Sequence, residues 1–261
     1  MKKQLKDLDI EYHLSGEQNT ETIVFVHGLG ANLSQFKLQH DFFSEKLKVL
    51  SVNLRGHGNS KLAGNFDSSD FKLSKMAHDI IELLNKLDIN KIHYVGNSMG
   101  GNVGYEILKS KPQIISSFTT FGTTAQLNTS NLTLGLMKFT YKFLSLNFIA
   151  HMSKVAGQTK SSKEQIQEMI RQSDKSVIRA ILPNLANFNY LTVIQNSSAP
   201  TMIIKGAQDH DINKSIDSTI SEFNKRGHFK LSKLQEAGHF ANLDAPVLFN
   251  QTLENFIYSV S

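Results

Sequence analysis

Ser98, Asp209 and His239 are of the residue types that nucleophilic acyl chemistry can use. A serine hydroxyl is a weak nucleophile at neutral pH. It becomes a strong one when an imidazole takes its proton and a carboxylate holds that imidazole in the right tautomer. Ser98 stands in Gly96-Asn97-Ser98-Met99-Gly100, after the apolar run Ile92-His93-Tyr94-Val95 and before a segment that reads as helix. A serine at the tip of a strand-to-helix turn takes a strained backbone, and the chain two residues to either side passes close by. Gly96 and Gly100 bring no Cβ into that space. The following helix would aim unpaired N–H groups and a partial positive charge at a developing oxyanion.

The candidate base, His239, lies in Ala237-Gly238-His239-Phe240-Ala241-Asn242, between the last expected strand and the last expected helix. The candidate acid lies in Gly206-Ala207-Gln208-Asp209-His210-Asp211, with Asp209 the first choice and Asp211 in reserve. Asp211 could cap the next helix or exchange roles with Asp209. The loop Gly122-Thr123-Thr124-Ala125-Gln126 offers no carboxylate, which closes the other possible position. A tetrahedral intermediate needs two donors, expected from the backbone N–H groups of Met99 and of Leu29 in His27-Gly28-Leu29-Gly30. These two residues matter by position, not by side chain. His27 is read as shaping its loop, and Arg55 to Ser60 as a tight structural loop.

Elements able to position these groups follow from hydrophobic periodicity. Residues 3–15 alternate loosely (Leu8, Ile10, Tyr12, Leu14), as an edge strand or hairpin does. Thr22 to Val26 is a continuous apolar run, the signature of a strand buried on both faces. A helix is expected over 34–47, a strand over 49–53, a helix over 71–87, the strand entering the Ser98 turn, its helix, and a strand over 114–121. Such alternation argues a parallel sheet covered by helices on both faces. From 122 to 189 strand patterning stops and apolar residues fall at helical spacing. The reading is a helical cap over 123–189 inserted into a core of 1–122 and 190–261. Strands at 201–204 and 229–234 and helices at 212–223 and 246–258 complete the core.

With 40% hydrophobic residues in 261, the chain can bury a large core without staples. Cysteine is absent, which excludes disulfides, thiolate metal ligands and cysteine nucleophiles, and fits a reducing compartment. No run reaches the roughly 18 apolar residues of a membrane span, so the expectation is a cytoplasmic protein with no membrane partner. The net charge of +5 is carried by scattered lysines without a basic run, which argues against nucleic-acid binding. No metal and no organic cofactor are expected. Oligomeric state is not legible.

Nearly the whole chain resembles an α/β-hydrolase-fold serine hydrolase with a helical cap. The resemblance is carried by His27 to Gly30, Arg55-Gly56-His57-Gly58-Asn59-Ser60, Gly96 to Gly101, Gly206 to Asp209 and Gly238-His239. Asn53 stands where many relatives have Asp. Gly96 to Gly101 is similar to the carbon–carbon bond hydrolase branch, but His27-Gly28-Leu29-Gly30-Ala31 lacks that branch's Gly-rich oxyanion loop. Gly238 to Pro246 resembles lactonases and small esterases. The resemblance implies hydrolysis of small or medium acyl esters or lactones. The rival within the fold is carbon–carbon cleavage of a ring-cleavage dienoate, or acyl transfer, with Arg171 or Arg179 as a carboxylate ligand. The rival outside enzymology is a non-catalytic ligand-binding module. Met137, Phe139, Tyr141, Phe143, Phe148 and Ile149 are expected either to line an acyl pocket or to glue the cap to the sheet.

Overall fold

Apolar runs without alternation become the interior strands of a sheet covered on both sides. The computed structural model describes residues 2–5 and 9–260. Its strands are β1 (Lys2–Leu5), β2 (Ile10–Ser15), β3 (Thr22–Val26), β4 (Lys48–Val52), β5 (Ile92–Asn97), β6 (Ile115–Phe121), β7 (Gln126–Asn128), β8 (Asn187–Asn189), β9 (Thr201–Gly206) and β10 (Phe229–Leu234). Eight of them form one sheet in the order β1-β2-β4-β3-β5-β6-β9-β10. All pairings from β4 to β10 are parallel, and the β1–β2 hairpin lies antiparallel against β4. Leu8 of the expected alternation lies outside the described residues. The fold is the α/β-hydrolase architecture.

Alternate residues of each interior strand serve opposite faces. Val24 and Val26 pack with Leu50, Tyr94 and Phe118 under the helices Leu73–Lys86 and Met99–Ser110. Ile23 and Phe25 pack on the other face with Phe36, Phe43 and the last helix, Pro246–Val260, through Phe249, Leu253 and Phe256. Each such fully buried side chain contributes about 1.5–3 kcal/mol. β3 and β5 are buried throughout, so the turn after β5 is anchored in the buried middle of the sheet.

Two expected helices are shorter than their apolar spacing implied. The 34–47 segment is a 3₁₀ turn, Leu33–Phe36, followed by Lys37–Phe43. Beyond it the Phe43 carbonyl accepts from the N–H groups of Lys46 and Leu47 in a closing turn, and the Ser44 carbonyl accepts from the Gln18 and Asn19 side chains. The 212–223 segment is divided into His210–Asn213 and Asp217–Asn224. Thr124 Oγ1 donates to the Ser215 carbonyl at 3.0 Å between them.

Between β6 and β9 the chain leaves the sheet for the helices Asn131–Phe143, Leu146–Ser153, Lys160–Arg171 and Lys175–Ala186. β7 and β8 bracket them as an antiparallel ribbon, Leu127 opposite Phe188. Three-residue strands show no periodicity, and this pair was not expected. Among the described residues no helix is long and apolar enough to cross a membrane.

Candidate active site

Ser98 sits between β5 and the helix Met99–Ser110 at φ 51°, ψ −120°, a left-handed region that costs a non-glycine residue about 1–3 kcal/mol. Its neighbours hold it there. The Ser98 N–H donates to the Phe121 carbonyl at 3.0 Å, and the Ser98 carbonyl accepts from Gly101 N–H at 2.9 Å and Thr123 Oγ1 at 3.0 Å. A Cβ on Gly100 would lie 2.2 Å from the Val26 carbonyl oxygen, and one on Gly96 would lie 2.6 Å from the Gly100 backbone. The two glycines are therefore steric necessities of the turn. Ser98 Oγ makes no hydrogen bond among the described residues. Contacts of this kind commonly tighten only around a bound substrate.

His239 Nδ1 lies 2.9 Å from Asp209 Oδ2. Asp209 is 7% exposed, and its other oxygen accepts from Ile212 N–H. The Asp211 side chain is 95% exposed and pairs with Lys214. Of the two carboxylates, only Asp209 meets the imidazole. An imidazole that donates Nδ1–H to a buried carboxylate presents Nε2 as a proton acceptor.

Buried amides missed by the sequence reading tie the Ser98 and His239 loops together. Asn97 Nδ2 donates to the carbonyls of His239 (3.1 Å) and Phe121 (3.2 Å). Asn97 Oδ1 accepts from Gln35 Nε2 at 3.1 Å, and Asn242 Nδ2 donates to the Gln35 carbonyl and to Gln39 Oε1, each at 2.9 Å. The signal available was a set of amide side chains inside otherwise apolar segments. Gly122, at φ 59°, leaves room for the imidazole, since a Cβ there would lie 3.0 Å from His239 Cε1.

The N–H groups of Leu29 and Met99 find no acceptor among the described residues, and both residues border the same cavity as Ser98. Two histidines brace the Leu29 loop. Gly30 N–H donates to His57 Nε2 at 3.2 Å, and Leu54 N–H donates to His27 Nε2 at 3.1 Å. A ring nitrogen that accepts carries no proton, so both rings are neutral and protonated at Nδ1. Those Nδ1–H groups donate to the carbonyls of Arg55 and Gly28. Burial pushes His57 down to about 4 and His27 well below the ordinary imidazole value, with the neighbouring His57 adding to the second effect. The Arg55–Ser60 loop is held by a two-pronged Arg55–Asp79 ion pair (2.7 and 2.6 Å). Asn53 also has its reason: its amide donates to the buried Glu11 carboxylate while its oxygen accepts from Leu33 N–H at 2.7 Å. An aspartate there would set two buried carboxylates against each other.

A cavity of about 210 Å³ opens at Ser98, lined chiefly by Leu127, Leu134, Met137, Leu182, Leu185 and Phe188, with no charged side chain among its lining residues. A larger recess of about 940 Å³ lies at the amino ends of the strands, around Thr22, Lys48 and His93. Ligands of open parallel sheets bind at the carboxyl ends, where Ser98 is. Of the six residues expected to form a pocket or glue, Met137 lines the cavity, while Ile149 and Tyr141 pack with Ile166, Met169 and Phe240. Phe139, Phe143 and Phe148 do neither, because they face outward and are more than half exposed. Arg171 pairs with Glu168, and Arg179 borders a surface recess, so neither lines the cavity.

Residues 21–246 match the family model for the alpha/beta hydrolase fold, and the chain belongs to that family. Within it the chain is similar to 3-oxoadipate enol-lactonase 2 of Acinetobacter baylyi, 24% identical over 95% of this chain and 93% of that protein. Two solved structures share the fold. A thermophilic esterase from Thermogutta terrifontis has a TM-score of 0.82 at 20% identity, covering 96% of this chain and 94% of its own. The enol-lactonase from Burkholderia xenovorans has a TM-score of 0.83 at 19% identity, covering 95% and 96%.

Proposed function

We propose that this hydrolase cleaves carboxylic esters or lactones with a small or medium, uncharged acyl group, through an acyl-enzyme on Ser98. The observation that carries the reading is a strained serine opening onto an apolar cavity free of charged side chains, with the His239–Asp209 pair beside it. In this reading residues 123–189 are a cap over that cavity. His239 Nε2 accepts the Ser98 Oγ proton as Oγ bonds to the carbonyl carbon. The carbonyl oxygen becomes an oxyanion held by the Leu29 and Met99 N–H groups. Collapse breaks the ester bond, and the alcohol leaves with the proton from His239. Water, deprotonated by His239, then attacks the acyl carbon, releasing the acid and restoring Ser98. Asp209 holds the tautomer and offsets the imidazolium charge throughout.

A dienoate substrate would bring a carboxylate that wants a cation, and neither Arg171 nor Arg179 borders the cavity, which disfavours the carbon–carbon reading. The cavity is smaller than the roughly 300–1,000 Å³ of sites for drug-sized ligands. Hydrolysis of p-nitrophenyl acetate, butyrate and octanoate by wild type and Ser98→Ala tests the proposal. Expected are turnover favouring the short esters and its loss in the variant. Absence of wild-type turnover on all three would move the assignment to acyl transfer or carbon–carbon cleavage.

A further inference from the structure

A helix apolar on two opposite sides is ordinarily buried on both. The helix Asn131–Phe143 is not: none of its residues is buried. Leu134 and Met137, on its inner side, line the Ser98 cavity. Leu132, Leu136, Phe139 and Phe143 recur at i, i+4, i+7 and i+11, which puts them on one stripe. All four face water, Leu132 at 85% exposure. The next helix repeats the pattern with Phe148, Met152 and the adjoining Val155 at i, i+4 and i+7, again all exposed. Exposed apolar side chains recurring on one stripe of a helix mark an interaction site.

Charge identifies the partner. Residues 107–163 contain no aspartate or glutamate, while lysine recurs at 138, 142, 154, 160 and 163. Lys138, Lys142 and Arg179 border a recess of about 620 Å³ together with Phe139 and Phe143, and none of the three cations has a carboxylate partner among the described residues. Lys142 Nζ stands 5.0 Å over the Phe143 ring. A second copy of the chain is a poor occupant, because a two-fold interface would press this acid-free lysine patch against itself. Aromatic and aliphatic side chains flanked by unpaired cations are what an anionic lipid surface receives: apolar groups enter the acyl boundary and the cations meet phosphate.

We propose that the outer face of the helices Asn131–Phe143 and Leu146–Ser153 docks on an anionic phospholipid bilayer. The sequence expectation of no membrane partner rested on the lack of a spanning run, and a face that lies on the surface needs no span. The docked helix would separate lipid from the Ser98 cavity by one helix diameter, about 10–12 Å.

Co-sedimentation with phosphatidylcholine vesicles, with and without about 30% phosphatidylglycerol, tests the docking directly, whatever the catalytic activity proves to be. The probes are wild type, Lys138→Glu/Lys142→Glu and Phe139→Ser/Phe143→Ser, each checked for an unchanged thermal midpoint. Expected is binding to the anionic vesicles only, weakened at least about tenfold in each double variant and by added salt. Failure of wild type to sediment with anionic vesicles would overturn the proposal, as would undiminished binding by the charge-reversed variant. A wild-type dimer dissociated by Phe139→Ser/Phe143→Ser would assign the stripe to a second copy instead.

Discussion

Two positions separate Asp209 from Asp211, yet one carboxylate is buried against His239 and the other stands in water beside Lys214. The difference follows from backbone direction. β9 ends at Gly206, where a Cβ would lie 2.2 Å from the Gly238 carbonyl oxygen, so the two loops carrying Asp209 and His239 run in contact. Asp209 then turns inward to cap Ile212, and Asp211 falls on the open side of the short helix His210–Asn213. In the proposed mechanism Asp209→Asn leaves the shape intact but favours the wrong imidazole tautomer. A fall in ester kcat of about 10³–10⁴ is expected, while Asp211→Asn stays within about twofold of wild type. Equal losses in the two variants would contradict the assignment of the acid.

At the scale of the element, the turn after β5 stores strain that function would use. Thr123, Tyr94 and the Phe121 carbonyl hold Ser98 and Gly100 in place, and the helix Met99–Ser110 starts from a residue that disfavours its own φ. Glycine adopts that φ without penalty. Ser98→Gly is therefore expected to be more stable than Ser98→Ala by about 1 kcal/mol in urea unfolding, although both lack the hydroxyl. A Ser98→Gly midpoint at or below that of Ser98→Ala would show that the strain is relieved by the surrounding helix and strand.

The molecule as a whole encloses several neutral histidines. Besides His27 and His57, His40 is held between Ser15 Oγ at 2.6 Å and Ser51 Oγ at 3.0 Å and stacks on His13. Burial, with His13 beside it, pushes His40 down to about 3. A base whose folded-state pKa lies below its unfolded value of about 6.5 binds fewer protons when folded. Stability therefore rises with pH through the window from about 4 to 6.5 and is lost as pH falls through it. Urea midpoints at pH 4.5, 5.5 and 7 should increase in that order, with the steepest change below 6.5. His57→Gln should flatten part of the slope while lowering the midpoint at pH 7. A pH-independent midpoint over this range would show that these rings are solvated.

Sequence alone determined the alternation of strands and helices up to β6 and the strand-to-helix turn with its two glycines, and it singled out Ser98, His239 and a carboxylate at Asp209, with Asp211 in reserve, as candidates. Each is written in local spacing: period two or an unbroken apolar run for strands, period near 3.6 for helices, and small residues where the chain crowds itself. Tertiary structure decided what depends on residues far apart in the chain. It chose Asp209 over Asp211 through the contact between the loops after β9 and β10. It made Asn97, Gln35 and Asn242 one buried amide network across more than two hundred residues of chain. It turned Phe139, Phe143 and Phe148 outward, where periodicity predicts an apolar face but cannot say whether that face meets protein or water. It ended two helices early, at turns where the Ser44 and Ser215 carbonyls accept from side chains distant in the chain. Local pattern specifies which conformation a segment prefers. Which neighbour completes its hydrogen bonds and covers its apolar face is decided only when the chain has closed on itself.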